Sequence, residues 1–320
     1  MRVGFIGGVN SSLVTLLKLI QHDLNVVAVF GYKPSQNMVV SGYNDLECFS
    51  KEHMLNFIPF TRINDHIKDV NSLDLDVLFI VGISQLVCEE IVQAPKLGCI
   101  GFHPTLLPRG RGRAPIAWLV HEGEDGAANF FLINNVADSG PVFVQEHFYV
   151  DELDTAKSVE DKLLNATEVA LDRWLPKFKQ GEWNPMPQSE YFATEYGVRK
   201  PEDGLIDWHK SASEISRLIR AASNPHPGAY TFFNMEKVIV ENCSIENDLP
   251  IKGCVGRVLK EKSSSILIQT GDGLIWLHEI KTKLNVKVGD RLGFQVEQEI
   301  FEIKKDLQNI KSMFSDLSRK

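Results

Sequence analysis

The stretch Gly98–Trp118, GCIGFHPTLLPRGRGRAPIAW, combines an apolar strand, an arginine-rich loop and the start of a helix. The apolar residues of Cys99–Phe102 predict a buried strand that ends at His103 and Pro104, because proline cannot donate to a central ladder. His103 is therefore expected at the carboxyl end of a strand, where open α/β sheets build their sites. The loop that follows carries three arginines separated by glycines, which allow the backbone to approach a ligand closely. Pro115 then favours the first turn of a helix.

The segments around this stretch alternate between apolar strands and helices. Short buried runs at 3–6, 26–30 and 76–82 are separated by residues with helical spacing, a pattern typical of a mostly parallel sheet. From residue 229 onward the apolar runs are brief and lie between glycine turns, which predicts a small β barrel. The sequence thus predicts an α/β protein with an N-terminal domain at 1–180, a linker at 181–208 and a β-rich domain at 209–320.

Composition narrows the possible functions. The 320 residues carry a net charge of -8, which argues against nucleic acid held by a generally positive surface. The five cysteines are an odd number without a CxxC pair, and we expect them to be reduced in a cytoplasmic protein. Neither a signal peptide nor a membrane span is predicted. No pair of histidines or cysteines has ligand spacing with a third partner, so no metal is expected.

His103 and Asp138 form the predicted catalytic pair. Each follows a predicted strand, and we expect both strand ends to lie at one edge of the sheet. A histidine that moves protons near neutral pH benefits from a carboxylate that orients it and stabilises its charged form. Either residue alone is more often structural, but the two together beside an arginine loop indicate an active site.

The order of these motifs resembles the folate-dependent formyltransferases. HPTLLPRGRGRAPIAW begins at His103, and Asp138 follows 35 positions later in ADSGPV. Further on, RKPEDGLIDWHK (199–210) and IRAASNPHPGAYTFF (219–233) are similar to the region that enters the second domain in the transfer-RNA and nucleotide-sugar branches. The resemblance implies a Rossmann-like, mostly parallel formyltransferase domain followed by a smaller, OB-like barrel domain.

The resemblance also implies the reaction, which is transfer of a formyl group from N10-formyltetrahydrofolate to a primary amine. His103 matches the family histidine that helps to take the amine proton and polarises the formyl group, and Asp138 matches the aspartate that holds it. The pterin of the co-substrate is expected to bind largely through backbone groups of two loops. The matching residues are Ile83, Ser84, Gln85, Leu86 and Val87 in one loop and Asn134, Val136 and Ala137 in the other.

The sequence departs from the family pattern at Gly101. An asparagine is expected two residues before the histidine, where its amide would donate to the developing oxyanion, a contribution of roughly 3 kcal/mol elsewhere. Glycine offers only backbone atoms. Ser84, Gln85 or Asn129 could supply another donor by position, or a water could; otherwise catalysis is weaker.

Five basic residues are candidates for binding the acceptor. Arg109, Arg111 and Arg113 lie beside the histidine, and their planar guanidinium groups suit phosphate oxygens. Arg199 and Lys200 are further candidates, with domain packing as the alternative role.

The predicted acceptor is the amine of a nucleotide-linked amino sugar, formylated for surface polysaccharide such as lipopolysaccharide O-antigen. Residues 201–320 hold 17 basic and 17 acidic residues, whereas a transfer-RNA acceptor favours a positive C-terminal domain. The motif GRGRAPIAW (110–118) also resembles the sugar branch more than the transfer-RNA branch. Methionyl-transfer-RNA formylation and a catalytically weak folate- or nucleotide-binding relative are the alternatives. A homodimer paired through exposed strands of the C-terminal domain is a further expectation.

Overall fold

A seven-stranded sheet forms the first part of the chain. The computed structural model describes residues 1–36, 38 and 40–317. The strands of the sheet are β1 (Arg2–Gly7), β2 (Asn25–Tyr32), β3 (Phe57–Phe60), β4 (Val77–Val81), β5 (Gly98–Thr105), β7 (Gly126–Leu132) and β8 (Val142–Phe148). They lie in the order β3-β2-β1-β4-β5-β7-β8; the first five are parallel, and β7 and β8 are antiparallel to their neighbours. The prediction of a mostly parallel sheet is confirmed.

Helices connect and cover these strands. They are α1 (Asn10–Gln21), α2 (Leu46–Glu52), α3 (Ile67–Ser72), α4 (Glu89–Val92), α5 (Pro115–Glu122) and α6 (Ala156–Lys179). The Asp45 side chain caps α2 by accepting from the N–H of Glu47, and Thr155 caps α6 in a box with Ser158, as short polar side chains at helix starts do.

An aromatic cluster joins α6 to the sheet. The ring of Phe79 in β4 lies 6.1 Å from that of Trp174 and 6.0 Å from that of Phe178, centre to centre. The ring of Phe130 in β7 lies 5.8 Å from that of Trp174. All of the residues of β4 are buried, as expected for a central parallel strand covered on both faces. The core therefore fixes the strands from which the candidate site is built.

The second part of the chain is β-rich. Five antiparallel strands form one sheet in the order β10-β11-β14-β13-β12. They are β10 (Ala229–Phe233), β11 (Glu236–Glu246), β12 (Val258–Lys262), β13 (Ser265–Gln269) and β14 (Leu274–Lys281). Helix α7 (Ala212–Ala222) packs on the core of this sheet. The helix α8 (Val296–Leu317) follows, and the sequence analysis above does not predict it.

The chain divides into two compact units. One comprises residues 1–201 with 223–227, and the other comprises 202–222 with 228–320. The predicted linker contains β9 (Glu195–Tyr196), which pairs in parallel with the short strand β6 (Arg111–Gly112) of the arginine loop. None of the helices in the described part of the chain is long and apolar enough to cross a membrane.

Candidate active site

His103 and Asp138 lie side by side. The imidazole Nδ1 is 3.5 Å from Asp138 Oδ2, and Nε2 is 2.8 Å from the carbonyl oxygen of Gly110. The histidine side chain is 6% exposed and the aspartate side chain 19%. Because a carbonyl oxygen only accepts hydrogen bonds, Nε2 carries a proton in this arrangement. Nδ1 then faces the carboxylate, and solvent reaches the pair mainly from the aspartate side.

The path by which the two residues meet differs from the predicted one. His103 lies inside β5, which continues through Pro104 to Thr105. A register shift between His103 and Thr105 accommodates the proline, since an irregular ladder does not need its missing N–H. β7 runs antiparallel to β5, so the loop after β7 begins beside the amino end of β5 and not beside its carboxyl end. The prediction that both strand ends share one edge is therefore wrong, and the turn of the β7–β8 hairpin brings Asp138 back to the histidine.

The backbone around Asp138 holds its carboxylate in place. Asp138 has a φ of 54°, a left-handed conformation that aspartate tolerates better than most residues. Its Oδ2 accepts the N–H of Gly112 at 2.9 Å. The Gln188 amide donates to the carbonyl oxygens of Asp138 and Gly140 at 2.8 and 2.7 Å. The aspartate is therefore fixed from two sides, by the arginine loop and by the linker.

The linker residues are the part of the site that sequence reasoning missed. Thr194 accepts the N–H of Gly110 through its hydroxyl and the N–H of Arg111 through its carbonyl oxygen. The carbonyl oxygen of Tyr196 accepts the N–H of Arg113 at 3.1 Å. The glycines of the loop thus permit close approach of the protein's own backbone. No periodic signal marks this pairing, because the paired strands are only two residues long.

The three loop arginines have different surroundings. Arg111 is 3% exposed, and its guanidinium donates to Gln188 Oε1 and to both carboxylate oxygens of Glu190. This pairing lowers the pKa of Glu190. Arg111 therefore anchors the loop to the linker. Arg109 and Arg113 are exposed.

Arg199 and Lys200 lie in the same linker. The Arg199 guanidinium lies 4.9 Å from the centre of the Trp118 ring, which also stacks on Tyr196 at 5.3 Å. The Trp118 Nε1–H donates to the carbonyl oxygen of Gly197. Lys200 is exposed. The Arg199 guanidinium thus packs on the Trp118 ring.

The first predicted co-substrate loop, residues 83–87, follows the carboxyl end of β4 as expected. Asn64 holds it by donating to the carbonyl oxygen of Leu86 and accepting the N–H of Cys88. The Gln85 amide donates to the carbonyl oxygen of Thr61 and accepts the N–H of Ile63. Ser84 is exposed, and the Leu86 side chain is 86% exposed. The loop is a pinned turn with an outward apolar residue.

The second predicted loop, residues 134–137, is the turn of the β7–β8 hairpin. Asn134 Oδ1 accepts the N–H of Val136 and the hydroxyl of Ser139. Val136 and Ala137 are exposed. Three residues at the bases of the two loops, Ile83, Val87 and Ile133, pack against the same buried cluster. The two loops therefore border one core and present apolar residues to solvent.

Metal ligation has no residues to support it in the described ranges. No group of three His, Cys, Asp or Glu side chains that could hold a metal ion occurs among residues 1–36, 38 and 40–317.

Two family matches cover most of the chain. Residues 12–175 match the formyl transferase family, and residues 199–289 match the formyl transferase C-terminal domain. The chain belongs to the formyl transferase family. The resemblance drawn from the motifs is confirmed, as are the enzyme class and the two-part fold of this formyltransferase.

Individual relatives extend over nearly the whole chain. It is 28% identical over 301 residues to methionyl-tRNA formyltransferase of Caldanaerobacter subterraneus subsp. tengcongensis, covering 91% of this chain and 95% of that one. An N-formyltransferase from Helicobacter canadensis, solved with folinic acid and dTDP-3-aminofucose, has a TM-score of 0.68 at 16% identity. The match covers 88% of this chain and 100% of that one. HypX from Aquifex aeolicus, solved with tetrahydrofolic acid, has a TM-score of 0.62 at 19% identity, and the match covers 89% of this chain but only 44% of HypX.

Gly101 of this formyltransferase has no room for the expected asparagine. A Cβ atom at this position would lie 2.7 Å from the Phe131 ring and 3.0 Å from Ile133, closer than carbon atoms approach without displacement. Two of the three substitute donors are also engaged elsewhere. The Gln85 amide donates to Thr61, and the Asn129 amide donates to the carbonyl oxygens of His103 and Ala127. Of the three, Ser84 remains.

Restoring the asparagine is expected to harm this protein. Gly101→Asn would displace the buried Phe131 ring, and overpacking of this kind costs about 1–3 kcal/mol. We expect a lower melting temperature and no gain in turnover, measured by thermal unfolding and by formyl transfer. Gly101→Asn combined with Phe131→Ala makes the space and separates packing from chemistry. A stable single variant with higher turnover would contradict this account.

Proposed function

We propose that this formyltransferase moves the formyl group of N10-formyltetrahydrofolate to the primary amine of a nucleotide-linked amino sugar. In this proposal His103 and Asp138 handle the amine proton, the loops 83–87 and 134–137 hold the pterin, and Arg109 and Arg113 bind phosphate. The product would serve surface polysaccharide synthesis.

The two loops fit a flat, partly polar ring. Loop 83–87 is held by Asn64, and loop 134–137 is held by the Asn134 side chain, so their backbone groups are positioned before the co-substrate binds. The outward side chains of Leu86 and Val136 are 86% and 57% exposed and offer apolar surface. The Aquifex aeolicus and Helicobacter canadensis proteins, solved with tetrahydrofolic and folinic acid, support the same co-substrate class.

The pair supplies proton transfer at the acceptor amine. Both partners of the His103 ring, the Gly110 carbonyl oxygen and the Asp138 carboxylate, are hydrogen-bond acceptors. With Nε2 donating to the carbonyl oxygen, Nδ1 is the ring atom left to accept a proton, and it faces the Asp138 carboxylate at 3.5 Å. A proton that leaves the attacking amine can therefore be held between Nδ1 and Asp138 Oδ2. The protonated ring then stabilises negative charge on the formyl oxygen.

The exposed arginines carry the acceptor proposal. Arg109 and Arg113 are exposed and lie on either side of the buried Arg111. The glycines between them contact the catalytic pair: the Gly110 carbonyl oxygen accepts from His103, and the Gly112 N–H donates to Asp138. Guanidinium groups form charge-assisted, two-pronged hydrogen bonds with phosphate oxygens. The 17 basic and 17 acidic residues of 201–320 add no positive field for a transfer RNA. The Helicobacter canadensis neighbour, solved with a dTDP-linked amino sugar, has the same fold.

Methionyl-transfer-RNA formylation is the second candidate. Sequence relatives at 26% and 28% identity carry that name. An acceptor of this kind would bind through many phosphates, so its affinity would fall steeply with salt. A third candidate, a catalytically weak binding relative, follows from the absence of the expected asparagine at Gly101.

Calorimetric titration of dTDP and UDP tests the phosphate site. We expect binding by the wild-type protein and a loss of about tenfold or more in Arg109→Ala/Arg113→Ala, because a charge-assisted hydrogen bond contributes about 1.5–3 kcal/mol. Lys68→Ala, at an exposed cation on α3, is the control and should not weaken binding. Salt-sensitive binding of methionyl-transfer RNA without nucleotide binding would favour the second candidate.

A further inference from the structure

Helix α8 lies beyond the residues matched by the formyl transferase domains, which end at 289. Its 22 residues form a rod of about 33 Å. Every residue from Ile300 to Ser315 is exposed. An isolated helix of this length is marginal in water unless an apolar face packs against something.

Apolar residues recur along α8 at alternating spacings of four and three. The series is Val296, Ile300, Ile303, Leu307, Ile310 and Phe314. In heptad notation these residues occupy successive d and a positions over nearly three heptads. From Ile300 onward these side chains are 46% to 68% exposed. We call residues 296–314 of this series the heptad seam.

The charges beside the heptad seam distinguish one pairing from another. Glu299 and Asp306 occupy g positions, and Lys304 and Lys311 occupy the e positions five residues later. In parallel coiled coils, g of one strand faces e of the next heptad on its neighbour. Both acids would then face lysines. In antiparallel pairing g faces g and e faces e, so Asp306 would face Asp306 and Lys304 would face Lys304, and only Glu297, also at an e position, would face a lysine, Lys311.

We propose that α8 forms a parallel coiled coil with α8 of further copies of this chain. The exposed apolar seam supplies the driving force, and the charges at 299, 304, 306 and 311 set the direction. The core residues set the number of strands. Ile300 and Ile303 place isoleucine at both a and d. Leu307 and Ile310 place leucine at a and isoleucine at d. These combinations favour three or four strands over two.

A membrane surface fits α8 less well. Helices that lie in the membrane interface are rich in Lys and Arg on the polar face. From Val296 to Ser315, α8 has four acidic residues and three lysines, so it is not attracted to anionic lipid. This inference concerns assembly alone and does not depend on the acceptor proposed above.

Light scattering of the full chain after size exclusion tests the seam. We expect a mass of three or four times the 36.0 kDa chain, falling towards one chain on dilution. Leu307→Asp places a charge in the core of the seam, and we expect this variant to have the mass of one chain. Lys305→Asp, at the outward f position two residues away, is the matched control and should keep the wild-type mass.

Charge reversal tests the direction and partner. Glu299→Lys/Asp306→Lys and Lys304→Glu/Lys311→Glu should each lower the mass alone, and a mixture of the two should restore it. Ile300→Cys should cross-link copies through equal positions under oxidation, above the level given by the native cysteines of the wild-type chain.

Three results would overturn the proposal. One is a wild-type chain that keeps the mass of a single chain at every concentration. Another is an assembly that Leu307→Asp and both charge reversals leave unchanged, which would place the contact elsewhere. The third is a single-chain mass together with Leu307-dependent binding to vesicles of phosphatidylcholine and phosphatidylserine, which would assign the face to a membrane.

Discussion

Asp138→Asn is expected to slow formyl transfer by about 10²- to 10⁴-fold, the range that positioned proton transfer contributes. The substitution keeps the shape of the side chain and an oxygen that can accept the N–H of Gly112. It removes the negative charge that faces His103 Nδ1 at 3.5 Å. The imidazolium then loses its partner, and the amine proton loses its acceptor. His103→Ala is expected to reduce turnover to a similar extent.

Activity and thermal stability are measured together for this pair. Tetrahydrofolate release gives the rate, and the melting temperature shows whether the fold persists. His147 and Asp125 form a second His–Asp pair at 3.2 Å, near the surface of the same sheet, so His147→Ala is the matched control. Near wild-type turnover in Asp138→Asn or His103→Ala, at equal stability, would contradict the assigned roles.

Gly112→Ala is expected to combine a large loss of stability with a large loss of activity. Gly112 has a φ of 105°, and a Cβ atom there would lie 2.5 Å from the carbonyl oxygen of Tyr196. Left-handed backbone alone costs a non-glycine residue about 1–2 kcal/mol, and the clash pushes β9 away from the loop. The N–H of Gly112 would then shift from Asp138, so turnover is expected to fall with stability.

Trp118 offers a direct signal for this change, because its ring stacks on Tyr196 at 5.3 Å. We expect altered tryptophan fluorescence and a melting temperature several degrees lower in Gly112→Ala. Gly197→Ala lies in the same linker, and a Cβ atom there would meet nothing within 4 Å. That control should leave fluorescence and turnover unchanged. An equally stable, active Gly112→Ala variant would show that the linker does not hold the loop.

The sequence predicts the sheet and the pair for physical reasons that act locally. A strand such as β4, buried on both faces, must be apolar throughout. Amphipathic helices repeat apolar residues every three or four positions, so both kinds of element can be predicted from one sequence. His103 and Asp138 stand out because their side-chain chemistry is rare beside an arginine loop. Their 3.5 Å separation depends instead on β7 running antiparallel to β5, a strand direction that the apolar pattern does not reveal.

The remaining features depend on long-range contacts or on short segments. In the sequence nothing distinguishes Arg111 from the other two arginines of the loop. Its burial follows from the fold, which places Gln188 and Glu190 against its guanidinium. The two-residue strands β6 and β9 are too short to show any period. The heptad spacing of α8 was present in the sequence and could have revealed that helix. Pro104 wrongly predicts the end of β5, because the register shift beside it means that the ladder does not need an N–H at that position.

The most direct test of the proposed function is the release of tetrahydrofolate from N10-formyltetrahydrofolate, followed by absorbance. The acceptors are nucleotide-linked 3-amino and 4-amino sugars, with methionyl-transfer RNA as the comparison. Our proposal predicts turnover with at least one amino sugar and none with the transfer RNA, and loss of that turnover in Asp138→Asn. Turnover with methionyl-transfer RNA alone, or with no acceptor while the co-substrate still binds, would contradict it.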